Sequence, residues 1–305
     1  MSTATQPRTL RSSDGAIGTQ QRLFIKRSAV VRIVQGNLLA VLGAIVVLVT
    51  VLLAILAPAV SPYDPLEMNL QAPLQPPSLE HPLGTDSYGR DLLSRIIHGS
   101  RVTLLAGTVA LSIALVAGLS VGLVAGYAGG MVDLLLMRAM DGLLSFPPIL
   151  LAIALLSVFG PSTVNAMLAL GIVYTPQLAR LVRSTTLTTQ AELYVTAARA
   201  VGVPDWKIML RHVLPNAIPP VIVQTSAMFA YAIVAVATLS FLGLGTQPPT
   251  PDWGEMVSTG RSYLQEAYWV ALFPALAIML FVTAVNLLGD GIRDMMDPRY
   301  RKSLI

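Results

Sequence analysis

The chain has 305 residues, 54% of them hydrophobic and 12% charged, with a net charge of +4 and a mean hydropathy of +0.68. That balance is too apolar for an ordinary soluble domain and suits a polytopic membrane protein. The basic residues are scattered rather than gathered into a stripe that tracks phosphates, which argues against a nucleic-acid binder. The absence of cysteine excludes disulfides, thiolate metal sites and cysteine nucleophiles.

Residues 1–36 form a polar, basic tail with Arg8, Arg11, Arg22, Lys26, Arg27 and Arg32. Within it, 23–33 reads as an amphipathic helix at the membrane surface. The apolar run 38–57 is longer than the roughly 7–15 residues of a secretory signal. An uncleaved first span is therefore expected over 37–60, ended by Pro58, Pro62 and Pro65. Residues 61–100 follow as an external segment whose proline density favours extended structure. Inside it, Gly84-Thr85-Asp86 reads as a turn and cap. Residues 91–98 read as a short helix with Leu92, Leu93, Ile96 and Ile97 on one face. His81, Asp86, Asp91 and His98 lack the spacing of metal ligands, so no metal site is expected.

The second span is expected over 102–127. Gly118, Gly122, Gly126 and Gly130 recur every four residues. A chance excess of glycine is one reading; three consecutive small-xxx-small steps favour close helix packing. Residues 128–145 carry Asp133, Arg138 and Asp141 in an apolar run. Arg138 and Asp141, three apart, can meet on one helix face. A buried pair would mark a substrate or proton path; the reading preferred is an interfacial helix ahead of a third span. That span covers 146–159, extended backwards by Leu143 and Leu144. Gly160-Pro161-Ser162 make a turn, and a fourth span covers 163–181 with a kink at Pro176.

A polar island then separates two apolar runs. Residues 192–215 read ELYVTAARAVGVPDWKIMLRHVLP. Ala197, Ala198 and Ala200 favour helix, and Gly202 suits the left-handed residue that ends one. Pro204 suits the first turn of the next, and Pro215 is expected to end it at Leu214. An amphipathic connector lying on the membrane is one reading of this helix-turn-helix. The other is a docking element that carries force from a soluble partner, with Ala197, Ala198 and Gly202 admitting its surface. A fifth span is expected over 217–244, entered through Pro219-Pro220. A second external loop, 245–268, holds Pro251-Asp252-Trp253-Gly254. Trp253, Tyr263, Tyr268 and Trp269 fit an aromatic belt, and a sixth span covers 269–288. With both termini cytoplasmic, sixteen Lys and Arg lie inside against four outside, Arg90, Arg95, Arg101 and Arg261. This positive-inside balance puts the island in the cytoplasm.

There is no GxxxxGK[ST] phosphate cradle, so any ATP is bound by another chain. No Ser nucleophile sits in a GxSxG elbow, since the string GLSVG at 118–122 falls inside the expected second span; HExxH is absent, and an enzyme is not expected. A secondary transporter or channel would place ionisable residues inside its spans; here the spans are nearly free of charge.

The island resembles the "EAA" loop of permease subunits of binding-protein-dependent ABC importers. Ala197, Ala198, Gly202, Leu214 and Pro215 fall in register with it, while Thr196 stands for the family's Glu and His212 for its Ile. HVLPN at 212–216, HPLGTD followed by GRD in 81–91, the Gly-Gly, Asp, Arg, Asp and Phe-Pro series of 129–147, PDWG at 251–254 and DPR at 297–299 are similar to phrases of the dipeptide and oligopeptide class. The chain is similar to the second permease subunit of that class. The resemblance implies an all-α, six-helix, type I ABC importer permease fold in a bacterial inner membrane. Its parts would be an N-terminal tail (1–36), a first helix (37–60), an external loop (61–100) and a five-helix core (101–291). That core contains the coupling loop 184–216, and a tail (292–305) follows. The resemblance further implies a homologous permease partner, two ATPase subunits holding ATP and Mg, and an extracytoplasmic binding protein. Thr196, Ala197, Ala198, Arg199, Gly202, Val203, Pro204, Leu214 and Pro215 would dock the ATPases. Nickel and other small-solute importers share the class and remain the alternative substrates.

Overall fold

A computed structural model describes residues 38–296. The expected surface helix at 23–33 and the Asp297-Pro298-Arg299 phrase lie outside the described residues. Within them the regular elements are helices, with one isolated bridge between Thr85 and Asp91 in the irregular segments that join them. The first span is α1 (Leu38–Ile55), followed by a single turn, α2 (Ala57–Val60), which Pro58 opens. A long irregular segment then leads to α3 (Leu92–Ala128).

The expected short helix at 91–98 is not separate from the second span. It is the first two turns of α3, which runs unbroken for 37 residues. Asp91 caps it by accepting from the Ser94 amide at 2.8 Å. Nothing between residues 92 and 102 breaks a helix, and Gly99 is used instead for close packing against Trp253. At 1.5 Å per residue α3 is about 55 Å long, well beyond a hydrocarbon core of about 30 Å.

Gly129 and Gly130, at φ +65° and +53°, turn the chain into α4 (Gly130–Leu144). This is the helix expected across 128–145. After Ser145, Phe146 and Pro147 the chain continues as α5 (Pro148–Phe159), bent by 92° from α4. Ser162 caps α6 (Thr163–Gln190), which carries Pro176 in its interior and extends nine residues past the expected end. The polar island follows as α7 (Leu193–Ala200) and α8 (Asp205–Ile208), joined through a π turn, Met209–Val213, to α9 (Leu214–Phe241).

Pro215 does not end that helix. Leu214 stays helical at φ −55°, ψ −45°, and Asp205–Phe241 forms one run. A proline ring collides with the carbonyl four residues back and offers no amide. The wider π turn immediately before it accommodates both problems.

The second external loop contains an unanticipated helix, α10 (Trp253–Gly260), and α11 (Trp269–Met296) closes the fold. Asp252 followed by Glu255 is a cap-and-third-position pattern that signals such a helix. Trp253 and Trp269 are buried in the core rather than arrayed as a belt, while Tyr268 is exposed.

Among the described residues, four helical runs are long and apolar enough to cross a membrane: α1, α3, Asp205–Phe241 and α11. The bent α4–α5 pair would make a fifth if both its helices form one span. The expected fourth span, α6, is long but diluted by Thr, Arg, Asn and Gln.

The main core brings together small and branched side chains of α3, α5, α6 and α9, including Ala110, Leu156, Leu170, Leu178 and Leu239. The most extensive seam joins α3 to α6. Gly118, Gly122 and Gly126 make it, sitting against Leu178, Ala179 and Thr186. Three of the four glycines of the stripe thus face α6, while a Cβ at Gly130 would meet nothing within 4 Å.

Candidate functional site

The α7–α8 hairpin stands at one end of the bundle, where α3 stops and α6 meets α9. Its turn is built as the sequence suggests. Gly202 adopts φ +80°, the Val203 amide donates to Ala198 O at 3.1 Å, and the Gly202 amide donates to Arg199 O at 3.0 Å. This pair of bonds is a Schellman closure, which needs a left-handed residue at that point. Pro204 sits one position earlier than expected, as the cap of α8 at φ −65°, ψ 145°.

The hairpin has two faces. Val195, Ile208 and Val213 are fully buried and pack with Leu123 of α3, Val182 of α6 and Val221 of α9. Burying a branched aliphatic side chain contributes about 1.5–3 kcal/mol, so three of them seat the hairpin firmly on three helix ends. The other face is open and apolar: Leu193 is 85% exposed, Val201 80% and Trp206 60%. Thr196, Ala197, Gly202, Pro204 and Pro215 lie exposed, while Ala198, Val203 and Leu214 are half-buried. A Cβ added at Gly202 would meet nothing within 4 Å. Arg199 differs from its neighbours. Its guanidinium lies 5.4 Å over the Tyr127 ring, and it donates to Gln190 Oε1 at 3.3 Å.

At the opposite end, residues 61–91 fold over the start of α3 and against α10. The tie is a buried charge network that sequence reading did not find. Arg95, 2% exposed, donates to Pro65 O at 3.1 Å and Pro249 O at 3.3 Å. It also lies 3.5 Å from both Asp86 and Glu255. Arg90 pairs with Asp86 at 2.7 Å, and His81 Nδ1 lies 3.0 Å from Asp91 Oδ1. His98 stands apart, its Nδ1 3.0 Å from Ser94 O. Among the described residues no three His, Asp or Glu side chains are grouped to hold a metal. Asp252 caps α10 by accepting from Gly254 and Glu255 amides at 3.0 and 3.1 Å, and from Thr103 Oγ at 3.0 Å. Burial pushes the carboxyls of Asp252 and Glu255 above the ordinary carboxylate range; the bonds they accept oppose that rise.

Between these ends, α4 leans on α6 through two ion pairs. Asp133 receives Arg183 at 2.5 Å on each oxygen, and Asp141 receives Arg180 at 2.6 Å. The pairing expected within α4, Arg138 with Asp141, gives way to these links because α4 crosses beside α6. The four charges border an open groove of about 650 Å³.

Comparison with known proteins now decides the family. Residues 118–302 match the binding-protein-dependent transport system inner membrane component, and residues 30–77 match the N-terminal TM domain of oligopeptide transport permease C. The chain belongs to this family of transport permeases. It is 45% identical over 269 residues to the dipeptide transport system permease protein DppC of Escherichia coli K12, covering 86% of this chain and 90% of that protein. It is 44% identical to the dipeptide permease DppC of Alkalihalophilus pseudofirmus, covering 87% of each. It is 40% identical over 290 residues to the probable D,D-dipeptide permease DdpC of Escherichia coli K12, covering 95% of this chain and 97% of that one. Two solved structures share the fold at 18% identity. One is a chain of the MetNI methionine ABC transporter in inward-facing conformations, with a TM-score of 0.53, covering 67% of this chain and 96% of that one. The other is a chain of an amino acid ABC transporter, with a TM-score of 0.50, covering 69% and 94%. The type I importer permease fold and a multi-pass place in the inner membrane follow for this permease.

Proposed function

We propose that this permease is the transmembrane subunit of an ATP-driven importer of di- and oligopeptides. It pairs with a homologous permease to enclose the translocation path. Two ATPase subunits dock on the 192–215 hairpin, and a binding protein delivers substrate at the end formed by 61–91 and α10. The hairpin end is cytoplasmic, as are both termini, and α6 completes six spans. The relatives' names favour peptide over nickel as cargo.

The observation that carries this reading is the two-faced hairpin. A fully buried inner face fixes it to α3, α6 and α9, and an apolar outer face is left for a partner. Burial of that face on a soluble ATPase would supply the docking energy. Motion of the ATPases would then move α6 and α9, which are continuous with the hairpin, and switch the path between outward and inward access.

The test is to purify the tagged chain with its co-expressed subunits and compare Gly202→Ala with Gly202→Trp. Both strain a left-handed position by about 1–2 kcal/mol; only tryptophan fills the space above the turn. The alanine variant is expected to retain its ATPases and ATP-driven dipeptide uptake, and the tryptophan variant to lose both. Normal uptake and assembly by Gly202→Trp would overturn the docking reading.

A further inference from the structure

The hairpin is also tied to α3, with which it has no direct chain connection. Tyr127, in the last turn of α3, donates its hydroxyl to Asp205 Oδ1 of α8 at 2.5 Å, across 78 residues of sequence. Arg199 of α7 covers the Tyr127 ring at 5.4 Å and approaches Asp205 at 3.9 Å. It also donates to Gln190 at the end of α6, and Gln190 in turn donates to Gly126 O of α3 at 2.9 Å. One node of side chains thus joins α3, α6 and both helices of the hairpin.

We propose that this node is a coupling strut: Tyr127 and Asp205 act as positioning residues that make α3 follow the hairpin during the transport cycle. The proposal rests on the docking function of the hairpin. Without the strut, work delivered at α7 and α8 would enter α6 and α9 through the backbone, and would reach α3 only indirectly, across its seam with α6 and through apolar contacts such as that at Leu123. Apolar contacts are non-directional and permit sliding. A charged acceptor holding a phenol fixes direction as well as distance. Above the node, α3 and α6 touch backbone to backbone along Gly118, Gly122 and Gly126. A displacement imposed at Tyr127 therefore travels up a seam with no room to deform. The strut also gives Arg199 contacts within the chain, to Tyr127, Asp205 and Gln190.

The test uses the complete importer, purified through a tag on this chain and reconstituted in proteoliposomes. Its readouts are ATPase capture and transport per ATP hydrolysed. Tyr127→Phe keeps the ring beneath Arg199 and lies off the docking face. It should leave ATPase capture unchanged and lower transport per ATP about fivefold or more. Asp205→Ala should lower transport per ATP likewise, and the double variant should be no worse by that measure than either single, as members of one interaction behave in a double-mutant cycle. Because the chain has no cysteine of its own, Tyr127→Cys with Asp205→Cys can be bridged by a short bifunctional thiol reagent. Bridging should restore the coupling lost in the unbridged pair. Unchanged transport per ATP in Tyr127→Phe, additive losses in the double variant, or arrest of transport on bridging would each overturn the strut while leaving docking intact. A wild-type chain that captures no ATPase would overturn the docking reading and the strut with it.

Discussion

Replacing Gly122 with alanine tests the seam between α3 and α6 with a single carbon atom. The added Cβ would lie 2.5 Å from Ala179 O, 2.6 Å from Val182 Cβ and 3.0 Å from the Arg183 amide nitrogen. Ordinary van der Waals contact begins near 3.4 Å, so the closest approach falls short by about 0.9 Å. Two of the three obstructing atoms are backbone, and neither can rotate away as a side-chain tip would. The helices must separate locally, and overpacking of this kind costs about 1–3 kcal/mol. Gly142 of α4 supplies the matched control, since a Cβ there meets nothing within 4 Å. Both substitutions gain the same helix propensity, about 1 kcal/mol, so the difference between them isolates the packing cost. Unfolding of the purified protein by SDS titration in mixed micelles should place Gly122→Ala about 1–3 kcal/mol below Gly142→Ala. Equal stabilities, within about 0.5 kcal/mol, would refute the claim that glycine is required for this seam.

The charge network at the other end makes two further predictions. Arg95→Ala leaves Glu255 buried without its cation and frees the Pro65 and Pro249 carbonyls. Breaking a buried network by removing one partner costs about 3–5 kcal/mol. Limited proteolysis should then cut within 61–91 under conditions that spare the wild type. Asp252 binds its proton more tightly folded than unfolded, because burial raises its folded pKa. The native state therefore holds more protons, and stability falls as pH rises from the unfolded value, about 4, through the raised folded one. Removing that titration with Asp252→Asn should make the wild type's advantage over the variant shrink as pH rises across this range. Melting temperatures in detergent would show it, and an advantage that grows with pH would contradict the sign.

Sequence reading reached the hairpin because its determinants are local. The alanines of α7 and the left-handed Gly202 act over a few residues, so their meaning does not depend on distant neighbours. It failed at Pro215 for the complementary reason. A rule about one residue and its predecessor could not foresee that a π turn at Met209–Val213 would absorb the proline within one continuous run. The same holds for Trp253. Its place beside tyrosines suggested a surface belt, but its ring packs on Gly99 and its indole donates to Ile96 O, 157 residues away in sequence.

The sequence by itself determined the membrane class, the glycine stripe, the helical hairpin with its turn at residue 202, and the family. Each follows from composition or from short-range spacing. Only the tertiary structure decided what these features meet. The stripe could have packed on any helix, and folding chose α6. Asp133 and Asp141 stood nearer Arg138 in the chain, yet pair with Arg183 and Arg180 across a helix crossing. Arg95 found its carboxylates and Tyr127 its aspartate in the same way. Ion pairs and hydrogen bonds form between groups that backbone packing brings within about 3–4 Å, and packing joins segments whose separation along the chain carries no trace of their contact.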